Sequence, residues 1–267
     1  MEKQKYTYDE IFQRNIGVLK KRQQESLRNS MVSIAGLGGI GGILFERLVR
    51  LGIENFKVAE PDSFEISNLN RMVFSNLENI REQKVEVIVE ECKKINSNIK
   101  VQVYKQGVNN ENVEEFTEAD IVIDAIENNL TFPMYLLHET ARNKKKTVLA
   151  AQALGFGASL YVFNDKSISF ADYIGLKNPE HMTAIEINNF KIPMLKFCPK
   201  IPKYVPKITA LNVALRKNYI PSCSLGVMAA ASLLEMAIIL HILKLDKLPL
   251  TPDYMFIDFY ELLKGQK

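Results

Sequence analysis

Between Met31 and Leu51 the chain reads MVSIA-GLGGIGG-ILFERLVRL, and this junction limits the folds open to it more than any other stretch. Met31-Val-Ser-Ile-Ala35 is a short apolar run with β-branched members that stops at a glycine, the pattern of a buried parallel strand. Beyond the glycines, Leu44, Leu48 and Leu51 recur at helical spacing. Gly36, Gly38 and Gly41 therefore satisfy G-x-G-x-x-G between a strand and a helix, with Gly39 inside the same turn. The first glycine permits the tight turn, the second lets phosphate approach the backbone, and the third lets helix and strand pack closely. The helix N-terminus supplies oriented N–H groups for an anion. Glu60 ends the next apolar run, Phe56-Lys-Val-Ala-Glu60, where a carboxylate accepts hydrogen bonds from ribose hydroxyls. The junction is a nucleotide-binding turn, and by itself it suits NAD as well as ATP.

Further strands are expected at Val101–Tyr104, Ile121–Asp124 and Thr147–Ala150, with helices over Glu78–Ile95, Val113–Phe116 and Leu136–Asn143. Alternation at this spacing gives an α/β fold, a doubly wound, largely parallel Rossmann-type sheet. Residues 1–30 form a polar helical segment and 31–157 the nucleotide-binding region, while 158–267 complete the same domain. In that last part Leu160–Phe163 and Ser167–Phe170 flank Asn164-Asp-Lys, which predicts a hairpin and an antiparallel extension. A Lys/Pro-rich crossover segment over 172–221 carries six prolines and shows little periodicity; it is long enough to fold over a site at the strand ends. Ser224–Leu243 is long and apolar enough to span a membrane, but it contains Glu235 and His241 and many small residues, so a buried core helix is expected and no membrane partner.

The formal net charge of +3 is too small to imply nucleic acid, and none is expected. Cys92, Cys198 and Cys223 contain no C-x-x-C pair, so neither a disulfide framework nor a zinc site is expected. His138, His181 and His241 form no cluster, which gives no support to a catalytic histidine. The first residues carry no apolar stretch that would serve as a secretory signal, and the expected setting is cytoplasmic.

Asp62-Ser-Phe-Glu-Ile-Ser-Asn-Leu-Asn-Arg71 resembles the D-x-V-x-x-S-N-L-x-R signature of the ThiF/MoeB/HesA family, bacterial relatives of ubiquitin-activating enzymes. Lys84 falls where that family places a lysine, at a helix start. Phe12-Gln-Arg-Asn15 and Gln24–Ser30 are similar to its N-terminal elements, and Ile123-Asp-Ala-Ile-Glu-Asn128 to its D-x-x-D-N. Ile220–Met228 and Ala231-Ser-Leu-Leu-Glu-Met are similar to its last turn and core helix. The resemblance is strong from Arg14 to Asn128, fair from 220 to 243 and weak between.

It implies adenylation of a carboxylate with ATP and Mg²⁺, the substrate being the C-terminus of a small ubiquitin-like sulfur carrier or a precursor peptide. Arg71 and Lys84 would neutralise the triphosphate, with Asp62 and Asn68 beside them. Asp124 and Asn128 would line the nucleotide, and Glu127 would bind the metal. Arg14 would reach the site from the partner of a homodimer. Two departures bear on the chemistry: Glu60 and Glu127 stand where relatives mostly have aspartate, which keeps the charge but alters the reach. Cys198, in Lys196-Phe-Cys-Pro-Lys200, is a candidate nucleophile whose flanking lysines would favour the thiolate. The alternatives are an NAD-dependent oxidoreductase and a nucleotide-binding protein that has lost catalysis.

Overall fold

The computed structural model describes residues 6–214 and 221–264. The ends of the expected N-terminal and C-terminal parts, and residues 215–220 of the expected crossover, lie outside the described residues, as does Ile220 of the family-like turn.

The N-terminal segment is not one helix. Helix α1 (Tyr8–Phe12) is capped by Thr7, whose hydroxyl accepts from Glu10 N, and a 3₁₀ turn follows at Gln13–Asn15. Gly17, at φ 113°, then redirects the chain into α2 (Lys21–Asn29). From there strands and helices alternate: β1 (Met31–Ala35), α3 (Gly39–Leu51), β2 (Asn55–Ala59), α4 (Lys84–Ile95), β3 (Lys100–Tyr104), α5 (Val113–Phe116), β4 (Ile121–Asp124), α6 (Thr131–Asn143) and β5 (Val148–Leu154). The order across the sheet is β3-β2-β1-β4-β5, all parallel. The chain leaves β1 towards β2 and later returns to its other side at β4, so the switch point lies between β1 and β4, where ligands of such sheets bind beyond the strand C-termini.

The helix expected over Glu78–Ile95 begins only at Lys84. Phe74 and Arg81 adopt positive φ, and the Asn79 side chain accepts from Asn76 N and donates to Phe74 O. An asparagine used this way closes a turn and competes with helix.

The expected antiparallel extension is present, but its hairpin is not the one expected. β6 (Gly157–Phe163) pairs with β5 through a turn at Gly155-Phe156, and β7 (Met255–Asp258) adds outside it. Ser167–Phe170 forms no strand. The Asn164 side chain accepts from Lys166 N and Ser167 N, and Ser169 caps α7 (Phe170–Ile174) by accepting from Asp172 N. The crossover contains short helices α8 (Ala184–Asn189), α9 (Met194–Phe197) and α10 (Lys207–Ala214).

Helix α11 (Ser224–Leu243) sits where expected and packs on β5, β6 and α3. Gly226, Ala229, Ala230 and Ala231 are buried there, the small side chains letting the helix approach the sheet closely. Glu235 in its middle pairs with Arg47 of α3. Helix α12 (Phe259–Lys264) closes the described chain. β6 and β7 belong to the same seven-stranded sheet as the five parallel strands.

Candidate active site

The glycine turn fits its backbone too tightly for side chains at two positions. Gly36 has φ 93°, and a Cβ there would lie 2.3 Å from the Ala125 carbonyl oxygen; a Cβ at Gly41 would lie 1.9 Å from the Gly36 oxygen. Gly38 is different, since a Cβ there would meet only the Met72 methyl at 3.8 Å. At Gly39 the neighbours are Val227 at 3.1 Å and the Arg71 stem at 3.5 Å. Gly36 and Gly41 therefore close β1 onto β4, and Gly38 and Gly39 keep the N-terminus of α3 open beneath Arg71. The first-turn N–H groups of a helix have no partners within it, which prepares this end for an anion.

Glu60 is buried beside the turn. One of its oxygens accepts from Leu37 N at 2.7 Å and the other from Asp62 N at 2.9 Å. Burial pushes its carboxyl above the ordinary range, against the pull of Lys84 and the two amides. A carboxylate has about four lone-pair positions, so two remain for hydroxyl donors. Lys84, the first residue of α4, is 4% exposed and reaches between Asp62 at 3.0 Å and Glu60 at 3.7 Å. Asn68 is buried, with Oδ1 accepting from Glu65 N. The Arg71 guanidinium donates to Ser67 O and Asn70 Oδ1, both neutral, and has no carboxylate partner among the described residues. Its charge is left for a ligand. The structure thus brings Gly36, Gly38, Gly39, Gly41, Glu60, Asp62, Asn68, Arg71 and Lys84 to one edge.

At the end of β4 the arrangement departs from expectation. Asp124 is 2% exposed and both oxygens are taken by the chain itself: Oδ1 accepts from Ile126 N at 3.1 Å, and Oδ2 lies 2.9 Å from His138 Nε2. Asp124 therefore holds the turn over 125–128, with one bond on each of its oxygens. His138, 3% exposed on α6, is stacked on Phe170 at 4.2 Å and meets the edge of Phe163 at 4.7 Å. In the turn, Glu127 is exposed and its carboxylate has no partner among the described residues. The Asn128 amide exchanges two hydrogen bonds with Gln152 of β5, at 2.8 and 3.2 Å.

Sequence reasoning missed His138 and Gln152. His138 carries no motif, since its partner lies 14 residues back across a strand–helix turn. Gln152 did leave a signal, a polar residue within the apolar run Val148–Leu154. His138→Phe keeps an aromatic between Phe163 and Phe170 but strands Asp124 Oδ2 in the core. Its unfolding free energy in urea is expected to fall by about 1–3 kcal/mol; no measurable loss would show that the bond does not hold the turn.

Two expected participants lie elsewhere. Arg14 is exposed on the 3₁₀ turn, which packs at the far end of α3: Asn15 Nδ2 donates to Leu51 O, and the Tyr8 hydroxyl to Gly52 O. Thirteen helical residues at about 1.5 Å each put roughly 20 Å between that end and the glycine turn. Arg14 does not reach this chain's own site.

Cys198 is half-buried at the end of α9, and burial pushes its thiol up. Lys196 lies over the Tyr173 ring and Lys200 over Phe256. The flanking lysines thus face aromatic rings and do not lower the thiol, contrary to the expectation of an activated nucleophile. Alkylation of Cys198 at neutral pH should therefore lag that of a free thiol by about tenfold or more, and should accelerate as pH rises into the alkaline range. Peptide-resolved mass spectrometry over time checks this, and rapid labelling at pH 7 would reinstate an activated Cys198.

Residues 12–264 match the ThiF family, and the chain belongs to it. A sulfur carrier protein adenylyltransferase of Thermus thermophilus is 33% identical over 149 residues, 55% of this chain and 51% of that protein. A tRNA threonylcarbamoyladenosine dehydratase of Bacillus subtilis is 30% identical over 130 residues, 48% of this chain and 51% of the relative. The chain spans about half the length of these curated relatives. A crystal structure of E. coli MccB with succinimide superposes with a TM-score of 0.63 at 22% identity, covering 88% of this chain and 62% of that one. PaaA superposes at 0.68 and 17% identity, covering 97% and 82%. At such identities the likeness shows the fold, which is the α/β sheet expected from the sequence.

Proposed function

We propose that the chain binds ATP with Mg²⁺ at the C-terminal edge of its sheet and adenylates a carboxylate. The substrate would be the terminus of a small ubiquitin-like sulfur carrier or of a precursor peptide. The observation that carries this reading is the pair of cations at the anion-binding turn. Arg71 lies against Gly39 with no carboxylate partner among the described residues, and Lys84 is buried beside Glu60. A nicotinamide cofactor would give these cations no task once its pyrophosphate was bound, whereas a triphosphate being cleaved needs them.

In the reaction a carboxylate oxygen of the substrate attacks the α-phosphorus. A phosphorus–oxygen bond forms as the bond to pyrophosphate breaks, giving an acyl-adenylate and pyrophosphate. No proton transfer is needed if the carboxylate enters ionised. Glu60 would accept from the ribose hydroxyls while holding Leu37 N, and Arg71 and Lys84 would offset charge on the phosphates. Glu127 would be the residue to hold magnesium, which would supply Lewis-acid stabilisation of charge on the phosphates. No three His, Cys, Asp or Glu side chains among the described residues are grouped to hold a metal alone. The free carboxylate of Glu127 suits an ion that takes one or two carboxylates and completes its shell with phosphates and water.

The dimer belongs to the same reading: a cation stranded about 20 Å from its own site has a use if it serves a neighbour's. The name of one relative, a sulfur carrier protein adenylyltransferase, supports the first of the two substrate classes. Calorimetric titration with ATP–Mg²⁺ and NAD in parallel, followed by substrate-dependent ATP–pyrophosphate exchange, tests the proposal. Binding of NAD without ATP would overturn it. ATP binding without exchange when the cognate carboxylate is supplied would indicate a fold that has lost the chemistry.

A further inference from the structure

From Ile187 to Leu234 the sequence contains no Asp or Glu, yet it carries seven cations. The whole chain has a formal charge of only +3, so everything outside this run is net acidic. The described part of the run is a strap laid along the edge that carries the site. It starts where Thr131 Oγ1 donates to Phe190 O at 2.9 Å, three residues beyond Asn128. Ser159 Oγ of β6 donates to Phe197 O at 3.3 Å. At the β5–β6 turn the Tyr204 hydroxyl accepts from Phe156 N at 2.6 Å and lies 3.0 Å from Asp258 Oδ2, while its ring stacks on Phe156. Where the chain resumes, Asn70 Nδ2 donates to Ser222 O at 2.9 Å, next to Arg71. One end of the strap is thus tied beside Glu127 and Asn128, and the chain re-enters beside the triphosphate cation.

The side chains on the strap are sorted. Its aromatic members turn inward or are stacked: Phe197 is buried and Tyr204 lies on Phe156. Its outward positions alternate between cations and aliphatics. Lys191, Lys203 and Lys207 are exposed and make no side-chain contact among the described residues. Leu195 is 64% exposed and Ile208 63%, with Ile201 and Leu211 also exposed. Surfaces that bind single-stranded nucleic acid present aromatic faces for base stacking, and here those faces are withheld. Aliphatics interleaved with lysines, with no carboxylate within the run itself, complement a polypeptide that alternates apolar and acidic side chains.

We propose that the outer face of the strap, residues 187–211, is the docking surface for an acidic, aliphatic-bearing segment of the carboxylate substrate. The adenylation reading supplies only the reason why a polypeptide should end at this edge. The charge pattern stands independently of it.

The test uses the full chain and fluorescence anisotropy with a labelled short peptide of alternating glutamate and valine. A glutamine-for-glutamate counterpart and a single-stranded RNA of the same length serve as comparisons. The glutamate peptide is expected to bind at least about tenfold more tightly than the glutamine one, and to weaken as salt shortens the reach of the charges. The variant Lys191→Glu/Lys203→Glu/Lys207→Glu should lose that difference, and the corresponding triple arginine variant should keep it. ATP binding and melting temperature, read on the same samples, should be unchanged by either. No preference for the glutamate peptide, or a preference that survives charge reversal, overturns the inference. Tighter binding of the RNA overturns it in favour of a nucleic-acid surface. Absence of ATP binding with the charge-dependent peptide preference intact would instead remove the adenylation reading alone.

Discussion

Lys84→Ala is expected to lower substrate-dependent ATP–pyrophosphate exchange by about 10²- to 10³-fold, the loss usual when one preorganised partner of a developing charge is removed. Lys84 is fixed by burial and by two carboxylates, so no flexible neighbour can replace it. The variant should also become sensitive to pH. Burial already raises the Glu60 carboxyl, and Lys84 is the largest influence opposing that rise. Removing it favours the protonated form in the fold still more. A carboxyl raised on folding contributes stability at acid pH, which is lost as pH climbs from the ordinary carboxylate range through the raised value. The stability deficit of Lys84→Ala should therefore be small in acid and grow towards neutrality. Denaturant midpoints at several pH values, with exchange rates beside them, check both parts. Exchange within threefold of the parent would remove Lys84 from the chemistry.

The second large effect concerns assembly. Arg14→Ala alone should abolish most exchange although Arg14 lies at the distant end of α3 from the glycine turn. Mixed with inactive Lys84→Ala, it should regain activity. In a mixed dimer with sites built across the interface, one site carries both intact residues and the other neither. Free exchange of equal amounts makes half the dimers mixed, so about a quarter of all sites should recover. No recovery despite demonstrated exchange, or a monomeric mass at working concentration, would sink the shared-site arrangement. An arginine delivered from a neighbour has the physical logic of an arginine finger, completing a phosphate site only on assembly.

The parallel half of the sheet was legible because its determinants are local. Buried strands such as Met31–Ala35 are continuous apolar runs, and the glycine turn leaves little choice about what precedes and follows it. Gly36 to Gly41, Glu60 and Asp62 were legible for the same reason, each within a few positions of a strand end, whereas Asn68, Arg71 and Lys84 were picked out by their resemblance to the family signature. The hairpin was misplaced because the apolar run Leu160–Phe163 shows that a strand exists but not its partner. Pairing was decided by Gly155, at φ 59°, and by Asn164 and Ser169, whose side chains bond to the backbone and prevent a second strand after Phe163. β7 was invisible, being four residues, from exposed Met255 to buried Asp258, that become a strand only because β6 offers an edge. The bracing role of Asp124 was not legible because a motif match gives a residue's place along the chain, whereas its partner, His138, is chosen by how α6 packs.

The bond between Asp124 and His138 also bears on whether the site is portable. Glu127 and Asn128 ride on a turn shaped by Asp124, which is set by a histidine wedged between Phe163 and Phe170. The instructions for that turn are therefore spread over almost fifty residues and two strands. Grafting the glycine turn and the D-x-x-E-N stretch onto another parallel sheet would transfer the letters of the motif without the brace. Conversely, a screen for inactive variants of this chain should return substitutions at Phe163 and Phe170 alongside those at the phosphate cations.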